Sequence, residues 1–199
     1  MKTRPYDPLN YENIAKSVVD SLLARPPGVL PPDRKLKGAG VYSIYYTGDF
    51  ELYRYIATPR FDVPIYVGSA LPEGGRKGSD LIGKGEASDA LYKRLVEHAS
   101  SIKAAKNLRI GDFRCRYLVV LPVWIRLAES LLIDRYRPVW NLHLDGFGNH
   151  PPGKGRRDMA RPAWDIVHPG RAWAAALRAD KTADEIIREV REKIGLKRD

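Results

Sequence analysis

A single cysteine in the chain, Cys115, leaves no internal disulfide to be made. Nothing around it has zinc-ligand spacing, so neither a disulfide scaffold nor a structural zinc site is expected to organise the fold. A cytoplasmic protein is the simplest reading. Long apolar runs are scarce as well. The most apolar stretch, Tyr117 to Ile125, is nine residues long and is broken by Pro122. That is far short of the roughly 20 residues needed to span a bilayer, so no membrane partner is expected. The first thirty residues carry Asp7, Glu12 and Asp20 and lack the basic-then-apolar layout of a signal peptide. Gly153-Lys154-Gly155 does not continue as Gly-Lys-Ser/Thr, which excludes a phosphate-binding loop and leaves no nucleotide cofactor to expect. Internal repeats are absent.

Charge and core material are present. Hydrophobic residues make up 44% of the 199, enough for a genuine core in one compact domain with elaborations. Thirty-four basic residues face twenty-four acidic ones, a net charge of +10. A cation of this size suits a polyanion. With no membrane-targeting helix in view, nucleic acid is the partner class to test first.

Periodicity divides the chain into an N-terminal arm (1–38), a core (39–142) and a C-terminal extension (143–199). In the arm, residues 11–25 place Ile14, Val18, Val19 and Leu22 on one side, as an amphipathic helix does. Pro26-Pro27 and Pro31-Pro32 then predict an extended linker over 26–33. Three strands are expected in the core. The first is Gly40–Tyr46, with Tyr42 and Ile44 on one face and Val41 and Ser43 on the other. The second is Val63–Gly68, where Pro64 favours an edge, and the third is Asp112–Leu121, apolar at its end and so central. Glycines make 72–85 a loop. Ser88 or Asp89 caps a helix running to Lys106 with Leu91, Leu95, Ala99 and Ile102 buried. A second core helix follows Pro122 to residue 136, ended by Pro138. The extension is Gly-, Pro- and Arg-rich to about Gly170 and then helical over roughly 171–195. The fold class is thus α/β (α+β), a small, mainly antiparallel three-stranded sheet flanked by helices.

Three polar residues fall where an apolar stripe is expected. Arg94 and His98 are four apart on the first core helix and share a face with its core residues. Glu129 lies among Ile125, Leu132, Ile133 and Tyr136 on the second. A carboxylate there is costly to desolvate unless it meets a cation, a metal or several donors. The bland explanation is an Arg94–Glu129 pair that ties the two helices together.

The order Gly40-Val41-Tyr42, Tyr66-Val67-Gly68, helical Arg94, helical Glu129, then Pro138-Val139-Trp140-Asn141 resembles the GIY-YIG nuclease pattern, with valine for isoleucine in both tripeptides. The spacing between the two strands and the glycine loop at 72–85 exceed the compact family minimum and mark insertions. A finer resemblance is to the superfamily's type II restriction endonucleases, whose members share a histidine at the His98 position and a segment like Pro152-Gly-Lys-Gly-Arg156-Arg157, then Trp164-Asp165 and His168-Pro-Gly-Arg171. It is similar to the branch that cuts the GC-rich palindrome CCGCGG.

The resemblance implies a site-specific deoxyribonuclease that hydrolyses both strands of double-stranded DNA. Its catalytic residues would be Tyr42, Tyr66, Arg94, His98, Glu129 and Asn141. Glu129 would be the protein ligand of one Mg2+ per active site, with Mn2+ as a substitute. Arg94 suits the scissile phosphate because its planar fork matches the phosphate oxygens. Tyr42 or His98 would be the base; a free phenol, with a pKa of about 10, needs help, and a histidine titrates near neutrality. Tyr66 would hydrogen-bond phosphate or water, and Asn141 would orient the site. Arg76, Lys77 and Lys84 on the glycine loop, with Lys154, Arg156, Arg157 and Arg161 on the C-terminal one, are the candidate DNA contacts. His143, His150 and His168 have no metal spacing, and the four tryptophans read as packing residues. One site per chain and a palindromic target imply a homodimer, with the arm helix and the last helix as candidate interfaces. The rivals are a homing or repair nickase of the same superfamily and a noncatalytic DNA-binding protein with the same fold.

Overall fold

Placement is described for residues 10–72, 88–153 and 159–195 of a computed structural model. The chain runs through α1 (Tyr11–Leu23), β1 (Gly28–Val29), β2 (Gly40–Tyr46), a 3-10 turn (Glu51–Ile56), β3 (Tyr66–Ala70), α2 (Ala90–Ala104) and β4 (Phe113–Val119). It continues through α3 (Pro122–Tyr136), α4 (Val139–Leu142), α5 (Ala163–Val167), α6 (Ala172–Ala175) and α7 (Ala183–Lys193).

The sheet has four strands in the order β1-β4-β2-β3, all pairings antiparallel, and not the three expected. The extra strand is β1, inside the expected proline linker. Pro26-Pro27 and Pro31-Pro32 leave a two-residue window between them. Within it Gly28 and Val29 pair with Cys115 and Arg114. Proline cannot donate to a ladder, so the strand stays short and at the edge. β4 is internal and β3 is an edge, as the apolar end of the one and Pro64 before the other predict.

Every residue of β2 is buried, because helices cover both sheet faces. Tyr42, Ile44 and Tyr46 point into the larger core with Leu91, Leu95 and Ile102 of α2 and Trp140, Phe147 and Trp164 of the C-terminal half. Val41 points the other way and meets Val67, Ile125, Ala128 and Leu132. Val19 and Leu22 of α1 complete that second cluster, so α1 lies against α3 instead of extending away as an arm.

The last helix of the sequence reading is two helices. Thr182 and Glu185 form a reciprocal capping box that starts α7 afresh. Ile186 and Val190 of α7 are buried within the chain, as are Val19 and Leu22 of α1. Both helices offered as dimer faces therefore turn apolar residues inward. No helix among the described residues is long and apolar enough to cross a membrane.

Candidate active site

β2 and β3 pair so that Tyr42 lies opposite Gly68 and Tyr66 lies opposite Ile44. Both tyrosines thus share the sheet face that α2 covers. Alanine at Gly68 would put its Cβ 2.3 Å from the Tyr42 hydroxyl, so the glycine of the second tripeptide gives the first tyrosine its place. α2 presents His98 and Arg94, one turn apart, to the same end. The Tyr42 hydroxyl and His98 Nε2 are 2.6 Å apart, and both side chains are fully buried. The three rings cluster, with centroids 5.4 Å apart for Tyr42–His98, 5.1 Å for Tyr66–His98 and 6.3 Å for the tyrosine pair.

Burial pushes Tyr42 well above its ordinary pKa; Tyr66 adds to this and Arg94 opposes it. Burial also pulls His98 well below 6.5, with the Arg94, His150 and Arg171 charges acting in the same direction. Burial and these charges thus act against the near-neutral titration expected of His98. Which of Tyr42 and His98 donates follows the imidazole tautomer, because a neutral ring carries one N–H and one bare nitrogen. In the tautomer whose Nε2 is bare, the Tyr42 hydroxyl donates to it.

Arg94 is partly buried. Its Nη1 donates to Glu97 Oε2 at 3.0 Å and to His150 Nε2 at 2.8 Å, and its Nη2 donates to the Gly148 carbonyl at 2.8 Å. Glu129 is elsewhere. It sits at the margin of the α3 stripe, whose buried residues are Pro122, Ile125, Ala128 and Leu132, with its side chain 19% exposed. Its Oε2 accepts from Ser69 Oγ at 2.8 Å and lies 3.4 Å from Arg126. The bland helix-tying pair is thus not formed. Ser69 belongs to the edge strand β3, which lets a carboxylate from the far face of the sheet approach the rim carrying the tyrosines. It is near enough to raise the pKa of both Tyr42 and Tyr66.

A hard oxygen donor at a partly exposed rim fits a divalent cation of the Mg2+ kind. Among the described residues no three His, Cys, Asp or Glu side chains converge, so phosphate and water oxygens would have to complete the shell.

Asn141 reaches β3 as well. Its amide accepts from Val67 N and donates to Val67 O, both at 2.8 Å, and so clamps the strand beside Tyr66. Arg161 is used internally, donating to the carbonyls of Ala174, Ala175 and Leu177. Arg76, Lys77, Lys84, Lys154, Arg156 and Arg157 lie outside the described residues.

Several neighbours carry no periodic signal in the sequence. Phe147 stacks on His98 with centroids 4.5 Å apart and planes 16° off parallel. The Cβ of an alanine at Gly148 would lie 2.8 Å from the Tyr66 hydroxyl and 3.0 Å from Arg94 Nη2, which marks the point where those two groups converge. His150 and Glu97 hold Arg94, and Ser69 holds Glu129. The compact Gly146-Phe147-Gly148 run is the one local hint of this loop.

No curated protein matches the chain closely enough to extend the comparison. The family model described as the Eco29kI GIY-YIG domain matches residues 34–194, about four-fifths of the chain. The tyrosine, arginine and histidine cluster lies inside that match, and the chain belongs to this GIY-YIG family of restriction endonucleases.

Proposed function

We propose that this protein is a type II restriction endonuclease that makes double-strand breaks in a short, GC-rich palindromic DNA site by Mg2+-dependent phosphodiester hydrolysis, acting as a homodimer. The observation that carries the reading is the convergence of Arg94, Tyr66 and the Tyr42–His98 pair beside a rim carboxylate, Glu129. Family membership supports the nuclease class, and the net charge of +10 suits a DNA partner.

Each residue has a distinct task in this scheme. Arg94 meets a phosphate oxygen with its guanidinium, exchanging contacts to Glu97 and His150 for contacts to the scissile group. Tyr66, the less buried of the two tyrosines, hydrogen-bonds the phosphate or the attacking water. Tyr42 has no exposed surface, and its hydroxyl lies 2.6 Å from His98 Nε2. With the bare Nε2 turned to Tyr42, a proton taken from water by the Tyr42 oxygen would be matched by transfer of the phenol's own proton to Nε2, and the pair would act as one acceptor. Glu129 would hold the Mg2+, which when bound polarises the phosphate and neutralises charge on the leaving oxygen. Asn141 keeps Tyr66 in register through Val67. Arg76, Lys77, Lys84, Lys154, Arg156 and Arg157 are the proposed DNA contacts.

Incubation of the protein with plasmid and Mg2+, wild type beside Glu129→Ala, tests this. Discrete double-strand fragments from the wild type and none from the variant are expected, and mapping the fragment ends gives the site. Nicked circles alone would favour a homing or repair nickase. Retained binding with intact plasmid would favour a noncatalytic DNA-binding protein. Sedimentation with and without DNA tests the dimer.

A further inference from the structure

The Trp164-Asp165 and His168-Pro169-Gly170-Arg171 motif takes part in no step above, yet its charged members are buried. Arg171 is 6% exposed and Asp165 is 1% exposed. Nε and Nη2 of Arg171 donate to the two Asp165 oxygens at 2.6 and 2.5 Å. The guanidinium also lies 4.7 Å from the Trp164 ring centroid and 4.8 Å from that of Trp173. A buried ion pair is weak as a source of stability, because desolvation offsets most of its attraction. Where the remaining donors go is more informative.

They converge on a single loop. Nη1 donates to the Phe147 and Asn149 carbonyls at 3.1 and 3.2 Å, and Nη2 donates to the Gly146 carbonyl at 2.8 Å. The other side of that loop faces the reaction centre. Phe147 is stacked on His98, the Gly148 carbonyl accepts from Arg94, and His150 Nε2 accepts from Arg94. The same motif is docked on the C-terminal end of α2, the helix that carries Arg94 and His98. Lys106 N donates to the Pro169 carbonyl at 2.9 Å, and a Cβ at Gly170 would lie 1.7 Å from the Ala104 carbonyl oxygen. One buried guanidinium therefore ties the loop to the segment that grips the helix opposite it.

We propose that Arg171, held by Asp165, is a positioning residue for the nuclease centre, setting His98 and Arg94 through the loop at 146–150. The kinetic part of this rests on the nuclease reading; the geometric part does not. Arg171→Lys tests it, since lysine keeps the charge but lacks the planar fork that serves five acceptors. A misplacement of about 1 Å far from the chemistry can cost about 10²-fold in rate. Single-turnover cleavage by the folded variant should therefore fall about 100-fold, with DNA affinity in EDTA within about threefold of wild type. The chain has four histidines, so the ring resonances of His98 can be assigned by loss in His98→Gln and followed in metal-free, DNA-free protein. They should shift in Arg171→Lys as Phe147 leaves its stacked position.

Unchanged His98 resonances with an unchanged cleavage rate would overturn the proposal. So would a rate loss that only tracks the unfolded fraction or the loss of DNA affinity. If Arg171→Lys does not fold, Trp173→Leu removes the half-buried ring 4.8 Å from the guanidinium and is judged by the same readouts. If the wild type cuts no DNA, the nuclease reading fails, and the His98 resonances alone decide the positioning.

Discussion

Tyr42 and Gly68 face each other across the β2–β3 ladder, and the space above the glycine is filled by the tyrosine hydroxyl. In Gly68→Ala the new Cβ would stand 2.3 Å from that oxygen and 2.6 Å from Cζ, so the ring must move. It has nowhere open to go, being fully buried and bonded to His98. Overpacking of this kind costs about 1–3 kcal/mol, and the lost Tyr42–His98 alignment should lower the cleavage rate about 100-fold. Urea unfolding and single-turnover cleavage check both. A variant of unaltered rate would remove Tyr42 from the chemistry. A second residue-scale expectation concerns His168. Its Nε2 accepts from Tyr53 at 2.5 Å and its Nδ1 donates to Asn107 Oδ1 at 3.0 Å, since the Asn107 amide nitrogen is already bonded to the Val167 carbonyl. Burial pulls this histidine down to about 3, so in the folded protein it stays neutral where the unfolded chain takes up a proton. Stability is then complete above the unfolded value of about 6.5 and falls as pH drops toward the folded one. The slope is about 1.4 kcal/mol per pH unit for each such histidine, and His98 adds a term of the same sign. Urea midpoints between pH 6.5 and 5, above most carboxylate titration, should decline in the wild type and decline less in His168→Gln.

At the scale of elements, the parts that sequence makes legible are those with a period or a breaker. The α2 stripe, the proline-started α3, the edge position of β3 and the inward faces of Tyr42 and Ile44 all follow from spacing that local physics imposes. β1 is not legible because a two-residue strand has no period, whereas the break between α6 and α7 is written in the Thr182–Glu185 capping box that a single-helix reading of 171–195 passes over. The site splits in the same way. Tyr42, Tyr66, Arg94, His98, Glu129 and Asn141 sit on regular elements, whereas Phe147, Gly148 and His150 reach the centre from a loop whose shape depends on Arg171, more than twenty residues on. Asn141 tests how far an element depends on one side chain. β3 is an edge strand, and beyond its pairing with β2 the amide of Asn141 takes both polar groups of Val67. Asn141→Ala leaves a buried N–H and C=O to be satisfied otherwise, at about 1–3 kcal/mol. Hydrogen exchange should rise at Val67 more than in β4, with cleavage reduced as Tyr66 loses its register. Uniform exchange across the sheet would mean that Asn141 only adds global stability.

For the whole molecule, the question is whether residues 1–38 form a detachable arm or part of the body. Sequence favours the arm, since an amphipathic helix followed by two proline pairs looks separable. The packing favours the body. Val19 and Leu22 have no exposed surface, and they form one cluster with Val41, Val67, Ile125 and Leu132. Behind the helix, Arg116 Nε donates to the Arg25 carbonyl at 2.7 Å, and β1 lengthens the sheet beside β4. Fully burying an aliphatic side chain is worth about 1.5–3 kcal/mol, so removing two of them and baring their partners on the sheet and α3 is of the same order as a typical net stability of about 5–15 kcal/mol. A chain lacking residues 1–25 should therefore lose most of its cooperative melt and bind a hydrophobic dye, although every proposed catalytic residue is retained. Supplying α1 as a separate peptide should restore part of the transition. A truncated protein that melts like the full chain would return α1 to the role of an arm, free to reach a second copy or DNA.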